Sequence, residues 1–319
     1  MKRFIKNLLL FLLVQLIVWS AIVFVYIRCR PIGQHYIAAS IDKQRLLAQQ
    51  PSPRIVFVGG SNLAFGLDSA AFANETSFKP VNMGLHVELG LDFILHEAKS
   101  GLRSGDVVVL SPEYELFGVD YSGGGEILYT AVEQHVANVQ HLSLPSVLRV
   151  SDNGFLLLSQ ILDYDYRCLT GNRGIYEPTN PNNPYKRSGF NEYGDVIAHY
   201  GMPRKEFPFP KLDTKVNSRT INRTISRLRD FQQWCQQNGI VVVVTFPTVP
   251  EQYMQQNRSS VVAIRDAVQS LNIPILATPE EMTFPLDDFF DTPYHLTEPG
   301  IRQRTTILIS RLKEKGIAK

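Results

Sequence analysis

The chain has 319 residues, 44% of them hydrophobic, and a formal net charge of +2, which fits a globular protein with one α/β domain and an insertion. Its Lys and Arg residues are scattered, with no basic stripe and no nucleic-acid-binding motif, so nucleic acid is not an expected partner. Three cysteines, Cys29, Cys168 and Cys235, are too few for a disulfide framework. Cys168 and Cys235 could pair in an oxidising compartment, but buried free thiols are the simpler reading, and no Cys/His spacing suggests a zinc site. No metal and no cofactor is expected.

The first element is an apolar run from Leu8 to Ile27, interrupted by Gln15 and Ser20. About twenty apolar residues cross the hydrocarbon core of a bilayer. A cleaved signal peptide is the rival reading, but no small-x-small site follows, and Ile27 and Arg28 spoil a lipobox before Cys29. Residues 1–30 are therefore read as an uncleaved, single transmembrane anchor. Lys2, Arg3 and Lys6 precede the span and Arg28 and Arg30 follow it, which favours a cytoplasmic N-terminus and an extracytoplasmic main domain, periplasmic or extracellular. Residues 31–53 read as a juxtamembrane helix or linker, closed by the prolines of "QQPSPR".

Short β-branched strands then alternate with helices. Strands are predicted over 54–59, 80–85, 106–113, 240–247 and 273–279, and helices over 89–102, 218–237, 252–271 and 299–315. The rhythm predicts an α/β domain over 54–319 with a central parallel sheet covered by helices on both faces. Ligands of such sheets bind beyond the carboxyl ends of the strands, where Ser61, Gly84, Glu113 and Pro247 fall. The rhythm stops over about 117–212, which is too long for a crossover and is read as an insertion, helical in its first half and irregular in its second. It is either a lid or substrate-binding element or a loop without function.

Three stretches carry chemistry. "VGGSN" puts Ser61 just past the first strand, "VNMGLH" puts Gly84 just past the second, and "FFDTPYHLTEPG" puts Asp291 four residues before His295 ahead of the last helix. A serine hydroxyl needs an imidazole to take its proton as it attacks, and the imidazole needs a carboxylate to hold its tautomer. Ser61, His295 and Asp291 can fill these roles, with Asp288 as an alternative carboxylate. The N–H groups of Ser61 and Gly84 can meet the developing oxyanion. Asn62, Glu113 and Tyr114 are candidates to line the pocket, whereas His86 reads as an ordinary loop histidine and His199 carries no assignment.

With these residues in place, residues 54–115 and 240–315 resemble the SGNH hydrolases, also called GDSL-like. The resemblance implies a flavodoxin-like three-layer α/β/α domain and ester hydrolysis or acyl transfer. Where the family's third block supplies an oxyanion Asn, this chain reads "LSPEYELF", so Asn62, Asn82 or a backbone amide would have to substitute. The layout also resembles membrane-anchored SGNH-like proteins of the cell envelope. These include proteins that act with membrane-bound O-acyltransferases on exopolysaccharides, and the D-alanyl transfer protein of teichoic acid synthesis. The expectation is transfer or removal of an acyl ester, O-acetyl first, on a cell-envelope or extracellular polysaccharide, with a membrane-bound O-acyltransferase as a candidate partner. A catalytically degenerate domain that binds carbohydrate or scaffolds such a complex is the alternative, and a lipid-directed esterase is a third.

Overall fold

Apolar runs rich in Val suit strands that are covered on both faces, and three such runs, with one shorter strand that holds a single Val between Pro and Asn, build the central sheet of the computed structural model, which describes residues 2–29, 33–118, 123–152, 154–171, 183–212 and 216–318. In chain order the helices and strands are α1 (Lys2–Cys29), α2 (Ser40–Gln49), β1 (Arg54–Gly59), α3 (Ser61–Ala64), α4 (Ser69–Glu75), β2 (Lys79–Asn82), α5 (Gly90–Lys99) and β3 (Val107–Ser111). There follow α6 (Gly125–Gln134), α7 (Leu144–Asp152), α8 (Gly154–Thr170), α9 (Ser218–Gln237), β4 (Val241–Val244), β5 (Val249–Pro250), α10 (Glu251–Gln269), β6 (Thr283–Phe284) and α11 (Glu298–Glu314).

The sheet order is β2-β1-β3-β4, parallel throughout. Alternate residues of each strand feed two separate cores. Val56, Val58, Val108 and Leu110 pack with Phe93 of α5, Leu228 and Phe231 of α9 and Ile264 of α10. Ile55, Phe57, Val107 and Val109 pack with Phe72 of α4 and Leu308 and Leu312 of α11. At the amino end of the sheet, Arg54 and Asp106 form an ion pair buried on both sides, and Arg54 also donates to the Leu47 and Gly101 carbonyls.

The strand expected over 273–279 is reduced to one bridge, Ile275 against Val244. Pro274 has no N–H to give the ladder, so pairing consists of Val244 N–H to Pro274 O at 3.0 Å and Leu276 N–H to Val244 O at 2.8 Å. The parallel pair of β5 and β6 is an addition to the sequence expectation.

Helix α1 is long and apolar enough to cross a bilayer. The segment read as a linker contributes to the domain core instead: Tyr36, Ile37 and Leu47 are almost completely buried in it. Lys43 of α2, also buried, donates to Asn82 O at 2.8 Å and Gly194 O at 2.6 Å, tying α2 to the end of β2 and to the insertion. The first half of the insertion forms α6, α7 and α8. In its second half, 172–182 lies outside the described residues, and 183–212 is irregular chain that folds back onto the carboxyl end of the sheet. There Asp195 accepts from Ser69 N–H at 2.9 Å, Ser69 Oγ at 2.7 Å and Asn82 Nδ2 at 2.8 Å.

Candidate active site

The order of the sheet reverses between β1 and β3, and the turn after β1 carries Ser61. Gly60 precedes it, and a Cβ there would fall 2.0 Å from Glu113 Oε2. A side chain at this position would therefore have to displace the Glu113 carboxyl group, which packs against the turn. Ser61 is the first residue of α3, so its N–H has no partner inside that helix. Glu113 Oε1 accepts the Asn62 N–H at 2.9 Å and the Ser61 hydroxyl at 3.4 Å. Glu113 Oε2 is buried without a partner. Burial pushes the Glu113 carboxyl up to about 7, against the bond from the Asn62 N–H.

The Asn62 side chain faces inward. Its Nδ2 donates to Ser111 O at 2.9 Å, and its Oδ1 accepts from Ser111 Oγ at 2.9 Å and from Arg304 at 3.0 Å. Arg304 also donates to Asn62 O at 2.6 Å, so the last helix grips the turn that carries Ser61. Burial brings the Arg304 guanidinium down to about 10, and the charge of Glu113 opposes the shift.

Gly84 lies against the same turn, where a Cβ would fall 2.5 Å from Leu63 Cβ and 2.7 Å from Gly60 O. Its N–H, expected at the oxyanion, donates to Asn82 Oδ1 at 2.9 Å. Asn82 Nδ2 is taken by Leu63 O at 2.9 Å and by Asp195. Neither of the asparagine side chains weighed as substitute donors is therefore free: the Asn62 amide N–H is spent on Ser111 at the end of β3, and that of Asn82 on Leu63 O and Asp195. His86, on the loop that carries Gly84, accepts the Glu88 N–H on Nδ1 at 3.1 Å, which leaves its proton on Nε2. Burial, then the nearby His295 and His35, bring His86 down to about 4, so it stays neutral near pH 7.

His295 lies in the loop before α11. Its Nδ1–H donates to Asp291 Oδ1 at 2.9 Å, and the Tyr185 hydroxyl donates to Asp291 Oδ2 at 2.6 Å. Burial raises the Asp291 carboxyl, but the bond and charge of His295, the bond from Tyr185 and the charge of Lys205 together hold it below its usual value. With Nδ1 committed, Nε2 is the basic nitrogen. The imidazole lies flat on Phe65, with ring centroids 4.0 Å apart and planes 10° apart. Phe65 is tied to both halves of the site, since its N–H reaches Ser61 O at 2.9 Å and its O takes the Leu296 N–H at 3.1 Å. Asp291 rather than Asp288 is the carboxylate on His295; the backbone O of Asp288 receives the Thr297 N–H at 2.8 Å.

Tyr114 is fully buried between Phe246 and Tyr253, because the chain after Glu113 turns down into a 3-10 helix. It belongs to the core rather than to a pocket wall. His199, unassigned from sequence, buttresses the loop from below through Leu296 O at 2.9 Å and contact with Phe65. Sequence reasoning missed Tyr185, which sits in the insertion with no local signal. It also missed Arg304, which did leave one: with Ile301, Thr305, Leu308 and Leu312, this charged residue occupies the apolar stripe of α11.

Among the described residues no group of three or more His, Cys, Asp or Glu side chains is placed to hold a metal ion. No protein-family model matches the chain, and neither does any curated protein sequence.

Proposed function

We propose that the chain is a membrane-anchored, extracytoplasmic SGNH-like enzyme that moves or removes an acyl ester, O-acetyl first, on a cell-envelope or extracellular polysaccharide. The observation that carries the reading is the Asp291–His295 pair seated on Phe65, one turn of helix from Ser61. The sheet order, extended by Ile275 beyond β4, agrees with a flavodoxin-like arrangement, whose ligands bind where the strand order reverses.

In this mechanism the Ser61 hydroxyl swings from Glu113 toward His295. Ser61 Oγ attacks the carbonyl carbon of the ester while His295 Nε2 takes its proton, and Asp291 stabilises the imidazolium. The Ser61 N–H and the His86 Nε2–H stabilise the oxyanion. The intermediate collapses to an acyl-serine as the leaving alcohol takes the proton from His295. A sugar hydroxyl, or water, then gives its proton to His295 and takes the acyl group, and Ser61 Oγ leaves with the proton that His295 returns to it. A membrane-bound O-acyltransferase is the partner that would supply acyl groups across the membrane.

The second reading is a binding or scaffold component of a polysaccharide assembly complex. It is favoured by Glu113, which engages both the Ser61 hydroxyl and the Asn62 N–H. A fluorophosphonate probe applied to the full chain in detergent separates the two. The enzyme reading expects labelling that is absent in Ser61→Ala and slowed about a hundredfold or more in His295→Phe and in His86→Phe. Wild-type protein that stays unlabelled while folded would leave the scaffold reading standing.

A further inference from the structure

Outside the site, most of the exposed large apolar side chains among the described residues of the domain lie on the insertion. On α7, Leu144, Val147 and Leu148 are 73%, 42% and 56% exposed. These positions, i, i+3 and i+4, fall on one helical stripe. On α8, Leu162, Tyr166 and Leu169 are 44%, 66% and 72% exposed, at i, i+4 and i+7, again one stripe. Val136 and Val139, just before α7, add two more exposed apolar side chains. Among the other described residues of the domain, exposed large apolar residues are isolated, as Ile197 and Val241 are. Isolated ones are ordinary, whereas exposed apolar stripes on successive packed helices mark something that covers them.

What covers them follows from their neighbour. Helix α8 packs directly against α1, and α7 packs against α8. Most large apolar side chains of α1 are themselves exposed, including Phe4, Leu9, Leu16 and Phe24, so the domain leaves α1 largely unsheathed. A helix that lies alongside a transmembrane segment shares its surroundings, and an apolar stripe there meets acyl chains. On α7 the side opposite the stripe carries Ser146, which is buried against the protein, while Asp165 of α8 lies on that helix's own stripe and is itself buried. An apolar stripe left exposed beside a membrane span suits a helix that faces lipid.

We infer that α7 and α8 lie in the interfacial layer of the bilayer beside α1, so that the protein rests on the membrane through its insertion as well as hanging from its anchor. The inference rests on α1 being a membrane span, and it is independent of the chemistry assigned to Ser61. It makes the lipid surface, rather than a second protein, the occupant of this face.

The test uses the full chain reconstituted in phosphatidylcholine vesicles with and without brominated acyl chains. The chain's two tryptophans, Trp19 in α1 and Trp234 in α9, allow clean single-tryptophan forms. Trp234→Phe alone reports on the span through Trp19. Leu148→Trp, Leu169→Trp and Gln303→Trp are each made together with Trp19→Phe and Trp234→Phe; the first two report on the two stripes, and the third, on the exposed side of α11, reports on a surface away from lipid. Side chains held 5–10 Å into the boundary should lose about half their fluorescence to brominated lipid, as Trp19 should, while the α11 probe loses none. If Trp19 is quenched and the probes on α7 and α8 both behave like the α11 probe, the inference is overturned while the anchor stands, and a protein partner covers the face. If Trp19 is itself unquenched, the anchor fails and this inference fails with it.

Discussion

Glu113 accepts the Ser61 hydroxyl at 3.4 Å, and its burial sets how its own carboxyl group titrates. The group is fully buried, and its proton is held up to about 7 against an ordinary 4.5. A raised acid binds its proton more tightly in the folded state, so the folded protein loses stability as pH climbs from about 4.5 to about 7, by roughly 3 kcal/mol for this group. Glu113→Gln keeps the acceptor for the Asn62 N–H and removes the titration. Denaturant melts of the full chain in micelles at pH 5 and pH 8 should therefore show the variant losing less stability than wild type across that interval. Equal losses would mean that Glu113 does not titrate there. Glu97, also raised to about 7 by burial, adds the same slope to both proteins and cancels in the difference. At this scale the sequence revealed the groups whose signal is local: a serine after two glycines, and an aspartate four residues before a histidine. It could not reveal that Glu113 would fill the space under Gly60, or that Tyr185 would reach Asp291, because those contacts join residues far apart in the chain.

Among the elements, β1 and β3 show how much burial alone can specify. Their apolar runs were legible because parallel strands covered on both faces tolerate no polar residue in the middle. Their ends were less so: the Arg54–Asp106 pair lies where the sequence turns polar, which reads as a strand boundary and is instead a buried clamp. Removing one partner leaves an uncompensated charge in the core. Arg54→Met should destabilise the fold by about 3–5 kcal/mol in urea titrations, whereas a change below about 1 kcal/mol would show that the pair is replaceable by packing. The helices α9, α10 and α11 were legible from periodicity and caps, Asn217 closing a capping box before α9 and Pro299 sitting in the first turn of α11. The strand expected at 273–279 failed because its two prolines break the ladder that its apolar content invites.

For the whole molecule, the boundary of the domain differs from the one its composition suggests. The polar stretch before the first strand resembles a linker, yet Tyr36, Ile37 and Leu47 fill the main core and the Tyr36 hydroxyl donates to Leu85 O at 2.7 Å. A chain beginning at residue 54 should fail to fold, since removing these side chains costs more than about 5 kcal/mol, the scale of a whole domain's stability. A chain beginning at residue 33 should keep a cooperative melt. Comparison of soluble yield and thermal unfolding decides it, and a folded product from residue 54 would refute the assignment.

The loop seated on Phe65 also sets a schedule. Ser61 belongs to the earliest part of the domain to be synthesised, and Asp291 and His295 to nearly the last. On the extracytoplasmic, catalytic reading proposed above, an N-terminally anchored chain would deliver them to the far side of the membrane in that order, and until the final loop docked on Phe65 the serine would have no base. In the reading proposed here, reactivity is itself the signal that the whole chain has arrived.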